Sequence, residues 1–327
     1  MNLENSQPLN TEEIYFQKHL PRIKDNQLKI KKDKCLNNLS FTQRFKLTLL
    51  HIQKCHNVSF QNAFSHTCRA FQADYCKIKS ISGIDQNKSL ITLQLSYNLI
   101  EDLRPLRDMT FLTILAVDNN NITDITPLSQ LRNLKSLYLN QNNISGLYQI
   151  KDLQLLEILS ASNNNITDLY GIQYLKNLKQ INLNVNQISN LSPIAECYSL
   201  NYVYAENNQI TSVTPLLKLQ TIKSISIQSN FISDLGIIEL ETHCAQVFVR
   251  DQQKPSEHQI LLASKMLSIY GSRTSSEKNR HKKIFISNLL EFAIQSVKLK
   301  VKQLVESQLT LSQSLLLVFE QREIAAQ

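Results

Sequence analysis

The stretch LTILAVDNNNITDITPLSQLRN, residues 112–133, is followed at once by LKSLYLNQNNISGLYQIKDLQL, residues 134–155, with leucine, isoleucine and asparagine at the same offsets. Two more copies occupy residues 156–177 and 178–199. Frames also open at Cys68, Leu90, Leu200 and Ile222. Eight frames of 22 residues thus cover residues 68–243 without an insertion. A fixed period of this length predicts a solenoid, in which each repeat stacks on the one before it.

The apolar positions of the frame are 1, 4, 6, 11, 14, 17 and 20. Positions 4 and 6 alternate with polar neighbours, as in Leu137-Tyr138-Leu139, which is the pattern of a strand with one buried face. Few residues remain for the return path, so we expect a short 3-10 turn or an extended segment there. Prolines at position 16 agree, because proline lacks the N–H that a helix interior needs. They are Pro105, Pro127, Pro193 and Pro215.

Asparagine recurs at position 9 of seven frames, and Cys76 takes that place in the first. A buried side-chain amide donates and accepts hydrogen bonds at once, so it can satisfy the turn that follows each strand. Solvated turn asparagines are the alternative, and the strict spacing beside leucine favours a buried ladder. The ladder is predicted to consist of Asn98, Asn120, Asn142, Asn164, Asn186, Asn208 and Asn230.

The pattern LxxLxLxxNxIxDIxPLxxLxN resembles the leucine-rich repeat family, over about half of the chain. Its 22-residue class is similar to the regulatory subunit of type-1 protein phosphatase and to the bacterial internalins. The resemblance implies an α/β solenoid, a horseshoe with a concave parallel sheet and short convex segments. Members of this class bind unrelated partners, so the resemblance transfers no partner-contacting residue to this chain.

The rest of the chain divides around the array by composition and pattern. Frames appear faintly from residues 25 and 47, so we expect irregular repeats that cover the N-terminal edge. Val247 and Val249 continue positions 4 and 6 past the last frame and predict a closing strand. The predicted segments are 1–24 (polar), 25–67 (capping repeats), 68–243 (eight repeats), 244–271 (closing strand and capping helix), 272–283 (basic linker), 284–320 (long amphipathic helix or coiled coil) and 321–327 (tail).

The C-terminal helix is predicted from apolar residues that recur at steps of four and three between 284 and 320. About four heptads favour a coiled coil, with Gln308 as a polar core position. Leu289, Phe292 and Leu299 widen the apolar stripe beyond a simple seam. Two roles therefore stay open for this helix. It either mediates self-association or partner binding, or it packs against another part of the same chain.

The concave face should carry positions 3, 5, 7 and 8 of each frame, because the strand alternation leaves them outside the core. Exposed tyrosines are frequent anchors in protein interfaces, and Tyr202, Tyr204 and Glu206 lie on one strand. We therefore predict a protein partner, of unknown identity, that is bound on this face. The predicted contact residues are Ile114, Asp118, Tyr138, Ile158, Tyr202, Tyr204 and Glu206.

The formal charge of +8 is unevenly distributed. Residues 1–67 hold ten Lys/Arg against five Asp/Glu, the repeats 13 against 15, and residues 244–327 hold 12 against seven. The basic flanks support an alternative function, in which the chain associates with nucleic acid and the solenoid is a spacer. The concave positions hold few lysines, which argues against a surface that follows phosphates.

The N-terminus, MNLENSQPLNTEEIYF, does not have the basic start and apolar core of a secretory signal, and no apolar stretch is long enough to span a membrane. The cysteines fall at core positions of the frame and are expected to be buried thiols. These features predict a cytoplasmic protein, and the basic linker is compatible with nuclear entry. In this context the Asn-x-Ser/Thr matches are a by-product of the repeat.

Neither a catalytic site nor a cofactor site is predicted. The five glycines are isolated, so they form no phosphate-binding loop, and the seven histidines are scattered. One group of metal-ligand types, His51, Cys55, His56, His66 and Cys68, lacks the paired cysteine spacing of zinc sites. We predict a non-catalytic protein with no metal and no cofactor.

Overall fold

The computed structural model describes residues 23–24, 27–31, 47–55, 58, 60, 67–232, 240 and 246–248. All of these residues belong to one compact unit. All except residue 240 and the last strand lie between residues 23 and 232. The capping helix predicted within residues 244–271 and the long helix predicted for residues 284–320 lie outside the described residues, as do most of the basic flanks.

The described chain forms one open sheet of twelve strands in sequence order. Strands β2 to β12 are parallel, whereas β1 pairs antiparallel with β2 at the N-terminal edge, an element that the repeat pattern did not predict. The strands are β1 Ile23–Lys24, β2 Gln27–Lys31, β3 Leu49–Gln53, β4 Ala70–Asp74, β5 Thr92–Gln94, β6 Ile114–Ala116, β7 Ser136–Tyr138, β8 Ile158–Ser160, β9 Gln180–Asn182, β10 Tyr202–Tyr204, β11 Ser224–Ser226 and β12 Gln246–Phe248.

The register of the sheet follows the 22-residue period. Leu115 pairs with Leu93 on one side and Leu137 on the other, so equivalent positions of neighbouring frames are adjacent. The irregular N-terminal frames join the same sheet, with Leu49 opposite Gln27 and opposite Ala70, at steps of 22 and 21 residues. The predicted parallel sheet is confirmed.

Short 3-10 turns cross the other side of the repeats, as predicted. Each of the four prolines at position 16 stands at the start of such a turn, where its missing N–H would have no helical partner. The turns are Ile84–Gln86, Arg104–Leu106, Thr126–Gln130, Tyr148–Ile150, Ile172–Tyr174, Ser192–Glu196 and Thr214–Lys218.

The core lies between the sheet and these turns and contains the predicted apolar positions. In the frame that opens at Leu112, for example, Leu115, Val117, Ile122 and Leu128 are fully buried. No single repeat covers its own apolar edge, so burial depends on stacking against both neighbours. Within the described part of the chain, no helix is long and apolar enough to cross a membrane.

The position-9 asparagines are buried and connect consecutive repeats. Asn142 Nδ2 donates to Val117 O of the preceding repeat at 3.0 Å and to Leu139 O of its own at 3.1 Å. Asn142 Oδ1 accepts from Ile122 N of the preceding repeat at 3.0 Å. The same set of bonds recurs from Asn98 to Asn230. One amide thus satisfies buried backbone groups on both sides of a repeat boundary.

Cysteine takes the place of asparagine at this position in the frames that open at residues 47 and 68. The Cys76 thiol donates to Ile52 O and Asp74 O, and the Cys55 thiol to Ile30 O and Gln53 O. These carbonyls are equivalent to acceptors of the amide, but a thiol is a weaker donor. The ladder therefore continues toward the N-terminal edge with weaker hydrogen bonds.

Gly171 and Gly146 occupy neighbouring repeats but differ in what their backbones require. Gly171 precedes a 3-10 turn with a φ of 109°, and an added Cβ would lie 2.8 Å from Tyr148 Cα. Only glycine meets both conditions without strain. Gly146 has its φ outside the left-handed region, and nothing lies within 4 Å of an added Cβ.

Substitution of Asn142 by Ala should lower the free energy of unfolding by about 3 kcal/mol, because several buried backbone groups lose their partner. The matched control is Asn143→Ala at the exposed neighbouring position, which should change stability little. Urea unfolding followed by circular dichroism measures both. Equal stability of the two variants would contradict the proposed role of the ladder.

Gly171→Ala should destabilise the protein by about 2 kcal/mol, because alanine is strained at this φ and clashes with Tyr148. Gly146→Ala should leave stability unchanged or slightly increased, because its Cβ enters open space. Thermal unfolding of the two variants measures the difference. A destabilised Gly146→Ala variant would show that the backbone geometry described for this repeat is wrong.

Candidate functional site

The predicted contact residues on strands lie in two rows on the face of the sheet away from the core. Ile114, Ile158 and Tyr202 occupy position 3 of β6, β8 and β10, with one strand between each pair. Tyr138 and Tyr204 occupy position 5 of β7 and β10. Adjacent strands lie about 4.8 Å apart, so these side chains belong to one continuous surface.

Strand β10 presents two aromatic rings side by side on this surface. Val203 is fully buried between Tyr202 and Tyr204, so the two tyrosines project from the opposite face of the strand. Tyr202 is 36% exposed and Tyr204 is half-buried. Their backbones pair with Gln180 and Ser226 on the neighbouring strands. Small and amide side chains thus surround the aromatic pair.

Asp118 and Glu206, the two predicted acidic contacts, already have partners within the protein. Asp118 Oδ1 accepts from Asn140 N at 2.8 Å and from Asn140 Nδ2 at 2.7 Å. Glu206 accepts from the hydroxyl of Ser226 in the next repeat. Both acids are half-buried and tie one repeat to the next, in addition to any contact with a partner.

Position 7 thus forms a second inter-repeat ladder, which the repeat pattern did not predict. In four of the repeats an Asp or Asn oxygen at position 7 accepts from the position-7 N–H of the next repeat, at 2.8–2.9 Å. The acceptors are Asp74, Asp118, Asn140 and Asn184. The only feature of the sequence that could have predicted this ladder is the recurrence of an oxygen-bearing side chain at position 7.

Position 8 lies beyond the end of each strand, where the backbone no longer follows the strand alternation. From β5 to β11 the strands contain positions 3 to 5 only, and the residue at position 8 has a φ between 52° and 59° in every repeat. This left-handed conformation turns the chain away from the strand direction. Small residues at position 5, such as Ala116, Ser160 and Ser226, are also buried rather than available for contact.

Comparison with known proteins agrees with this geometry. The family described as Leucine Rich repeats (2 copies) matches residues 154–196. An internalin, InlF from Listeria monocytogenes, superimposes with a TM-score of 0.61 at 28% identity, over 65% of this chain and 63% of the internalin chain. The chain is a leucine-rich repeat protein. Internalin C2 from the same organism gives a TM-score of 0.53 at 26% identity, over 58% of this chain and 84% of that one.

Other solved leucine-rich repeat structures share the fold at lower identity. A chain in the octameric complex of Latrophilin 3, Unc5D and FLRT2 (LRR) has a TM-score of 0.64 at 18% identity, over 74% of this chain and 80% of that one. No curated protein matches the chain. Leucine-rich repeats are generally protein–protein interaction modules and are typically non-catalytic, which agrees with the open, polar face of this sheet.

A group of exposed tyrosines that the repeat pattern did not predict lies on the convex side of the leucine-rich repeats. The rings of Tyr148 and Tyr170 stack with centroids 5.4 Å apart, and Lys151 Nζ lies 4.3 Å from the Tyr148 centroid. This convex tyrosine cluster consists of Tyr148, Tyr170, Tyr174 and Tyr198, each 44–54% exposed. In the sequence, this group could have been recognised only from the tyrosines at positions 15, 19 and 21 of successive frames.

The cysteines of the leucine-rich repeats are core residues. Burial raises the pKa of Cys68 to about 11 and that of Cys197 to about 12. A thiol is nucleophilic and binds metals as the thiolate, so these groups stay in the unreactive form at neutral pH. In the group of His and Cys residues from which no metal site is predicted, burial also lowers the pKa of His51, and His56 and His66 lie outside the described residues.

Asp118→Asn should stabilise the leucine-rich repeat protein at pH 7. Burial raises the pKa of Asp118, so the folded state holds this proton more tightly than the unfolded state, and stability is lost as pH rises through the folded pKa. Asparagine keeps the acceptor oxygen without the charge. We expect an increase in Tm of roughly 2 °C at pH 7 that disappears in acid.

The control is Asp102→Asn, which should have the opposite sign. The Arg104 guanidinium lowers the pKa of Asp102, so its charged form contributes a small stabilisation above the ordinary carboxyl pKa that is lost as pH falls. Differential scanning calorimetry between pH 3 and pH 8 compares the two variants. Curves for Asp118→Asn and the parent that stay parallel at all pH values would refute the pKa argument.

Proposed function

We propose that this leucine-rich repeat protein is a non-catalytic scaffold that binds a protein partner on the concave face of its sheet. The observation that supports this most directly is the aromatic pair on β10. Tyr202 and Tyr204 project from the sheet on either side of a buried valine, and no strand or turn of the described chain covers that face. Tyrosines in such positions are enriched among the residues that dominate binding energy.

The composition of the concave face supports a protein partner over a nucleic acid. Positions 3 and 5 of strands β4 to β11 hold apolar, hydroxyl and amide side chains and no charged residue. Binding to a phosphate backbone depends on Lys and Arg contacts, which these two rows do not offer. A folded protein surface, by contrast, buries tyrosine and pairs with amide and hydroxyl groups.

The first partner to test is the catalytic subunit of a type-1 protein phosphatase. The chain resembles the regulatory subunit of that enzyme in its 22-residue frame, and a regulatory subunit needs a binding face but no chemistry of its own. A cytoskeletal adaptor is the second version of the same proposal. In either version, we propose that the helix predicted from the sequence of residues 284–320, which lie outside the described residues, serves in recruitment or self-association.

We place this function in the cytoplasm. Cys55, Cys68, Cys76 and Cys197 are buried thiols that fill core positions, and the pKa of Cys68, Cys76 and Cys197 is raised. Such thiols suit a reducing compartment, in which cysteine serves as a small apolar residue.

Replacing Tyr202 and Tyr204 together by Ala should weaken partner binding about 30-fold, which corresponds to roughly 2 kcal/mol lost from an interface anchor. Val203 stays in the core, so the variant should fold normally. The measurement is affinity capture from cell lysate with quantitative mass spectrometry, followed by calorimetric titration of the purified partner, with the phosphatase catalytic subunit tested first.

The matched control is Tyr198→Ala, which removes an equally aromatic and more exposed side chain from the convex side. It should bind the partner as the parent chain does. If the double variant and the parent capture the same partner equally well, the concave tyrosines are not the anchors. If only Tyr198→Ala loses the partner, the binding surface lies on the convex side instead.

A further inference from the structure

Positions 21, 22 and 2 of successive frames meet at each repeat boundary, immediately before the strand. The position-2 backbones are joined from repeat to repeat, because Lys135 N donates to Thr113 O and Glu157 N donates to Lys135 O, both at 2.8 Å. Adjacent strands are about 4.8 Å apart, so equivalent residues follow one another along the array at that step. The residues at these three positions, between residues 69 and 223, are called the strand-entry surface below.

Positive charge is concentrated on the strand-entry surface. The eight repeats hold 13 Lys/Arg against 15 Asp/Glu, but the strand-entry surface holds seven of those cations and one acid, Glu157. All seven cations are exposed, and they are Arg69, Lys88, Arg132, Lys135, Lys176, Lys179 and Lys223. The array is therefore close to neutral as a whole and basic along this one surface.

Basic and apolar boundaries alternate along the strand-entry surface. The boundary at residues 132–135 reads Arg-Asn-Leu-Lys, and the boundary two repeats later, at residues 176–179, reads Lys-Asn-Leu-Lys. The boundary before each of these carries an apolar side chain at position 22, Phe111 or Leu155, which are 63% and 44% exposed. A two-repeat period is thus superimposed on the 22-residue frame.

Hydrogen bonds follow the same two-repeat period. Asn133 Nδ2 donates to Thr110 O and Asn177 Nδ2 donates to Gln154 O, both at 2.8 Å. These two asparagines occupy position 22 at the basic boundaries, and each is bonded to the backbone of the preceding repeat. At the apolar boundaries, by contrast, the position-22 side chain is exposed. The alternation therefore belongs to the structure as well as to the sequence.

The two basic boundaries differ in the partners of their cations. Lys176 and Lys179 already contact acidic side chains of the protein, with N–O distances of 4.0 and 2.6 Å. Within the described part of the chain, Arg132 and Lys135 form no ion pair. These two cations lie between the two apolar boundaries, so the centre of the surface presents positive charge with an exposed apolar side chain on each side.

We propose that the strand-entry surface from Phe111 to Lys179 binds an acidic amphipathic α-helix of a protein partner. One repeat step of about 4.8 Å is close to half a heptad of α-helix, which rises about 5.3 Å at 1.5 Å per residue. A helix that lies along the array therefore places an apolar side chain at each apolar boundary and a carboxylate at each basic one. This surface is separate from the concave tyrosine pair and does not depend on the function proposed for it.

A nucleic-acid strand matches this surface less well than a helix does. It carries one phosphate per about 3.4 Å along its axis, so phosphates would lie beside Leu155 and Glu157 as well as beside the cations. Leu155 also offers no flat ring on which a base can stack. An amphipathic helix instead meets the apolar boundaries with apolar side chains and brings its carboxylates only to the basic ones.

The test titrates the full chain into a fluorescent peptide made of three copies of Leu-Ala-Ala-Glu-Ala-Gln-Gln and follows fluorescence anisotropy. Leucine and glutamate alternate on one face of this helix. One control peptide has lysine in place of glutamate, and another has the same composition in scrambled order. We expect saturable binding of the first peptide and roughly tenfold or weaker binding of both controls.

Three results of this titration would overturn the proposal. If the acidic peptide does not bind saturably, the surface does not hold such a helix. If the scrambled peptide binds equally well, the surface responds to composition and not to a helical face. If a uridine oligonucleotide of equal charge binds more tightly than the peptide at the same salt concentration, the surface is a nucleic-acid site.

Lys135→Glu should weaken binding of the acidic peptide about tenfold, because it places a like charge against a carboxylate of the helix. Lys79→Glu is the matched control, since it changes the net charge equally at an exposed residue beyond the other end of the strands. It should alter the affinity less than about twofold, because salt screens charges at that separation. Equal effects of the two substitutions would show that net charge alone governs binding, which contradicts the proposal.

Leu155→Ala should weaken binding about fivefold, because an apolar contact of the helix is lost. Leu99→Ala is its control, with a side chain 39% exposed beyond the other end of the strands, and should leave the affinity unchanged. Thermal unfolding verifies that both variants are folded. The double variant Tyr202→Ala/Tyr204→Ala should bind the peptide as the parent chain does. Loss of binding in that variant would assign the helix to the concave face and overturn the proposal.

Discussion

Each strand of the array ends in a buried turn whose backbone groups cannot reach water, and the rest of the structure depends on how those groups are satisfied. The amide of the position-9 asparagine provides both the donor and the acceptor that the turn needs. It spans two repeats, so it also sets how closely they stack. This contact recurs at each step of 22 residues from Asn98 to Asn230, in register with the parallel strands and the leucine core.

The repeat frame was enough to predict most of the fold. Alternation at positions 4 and 6 identified the strands, proline at position 16 marked the 3-10 turns, and the asparagine spacing located the buried amides. Alternation does not describe position 8, because hydrogen bonds to the next repeat hold that residue in a left-handed conformation. Tyr97 and Val185 adopt it there although neither has an intrinsic preference for it.

The candidate surfaces were predictable only in part, for a related reason. Side-chain parity within a strand correctly identified the outward position of Tyr202 and Tyr204. The alternation of side chains along a strand does not show which polar residues already form hydrogen bonds with a neighbouring repeat, as Asp118 and Glu206 do. It also does not apply to the 3-10 turns, so the convex tyrosines become evident only when successive turns are compared in space.

The asparagine ladder also has a direction. Each amide accepts the N–H of the repeat before it, as Asn164 does for Ile144 and Asn186 for Ile166, so a repeat is completed by the residues that follow it in the chain. A ribosome releases the chain from the N-terminal end. A newly emerged repeat therefore cannot complete the hydrogen bonds of its own turn until the asparagine of the next repeat has also emerged. Folding during synthesis would then advance one repeat at a time, and the most recently emerged repeat would still lack the hydrogen bonds that the next repeat supplies.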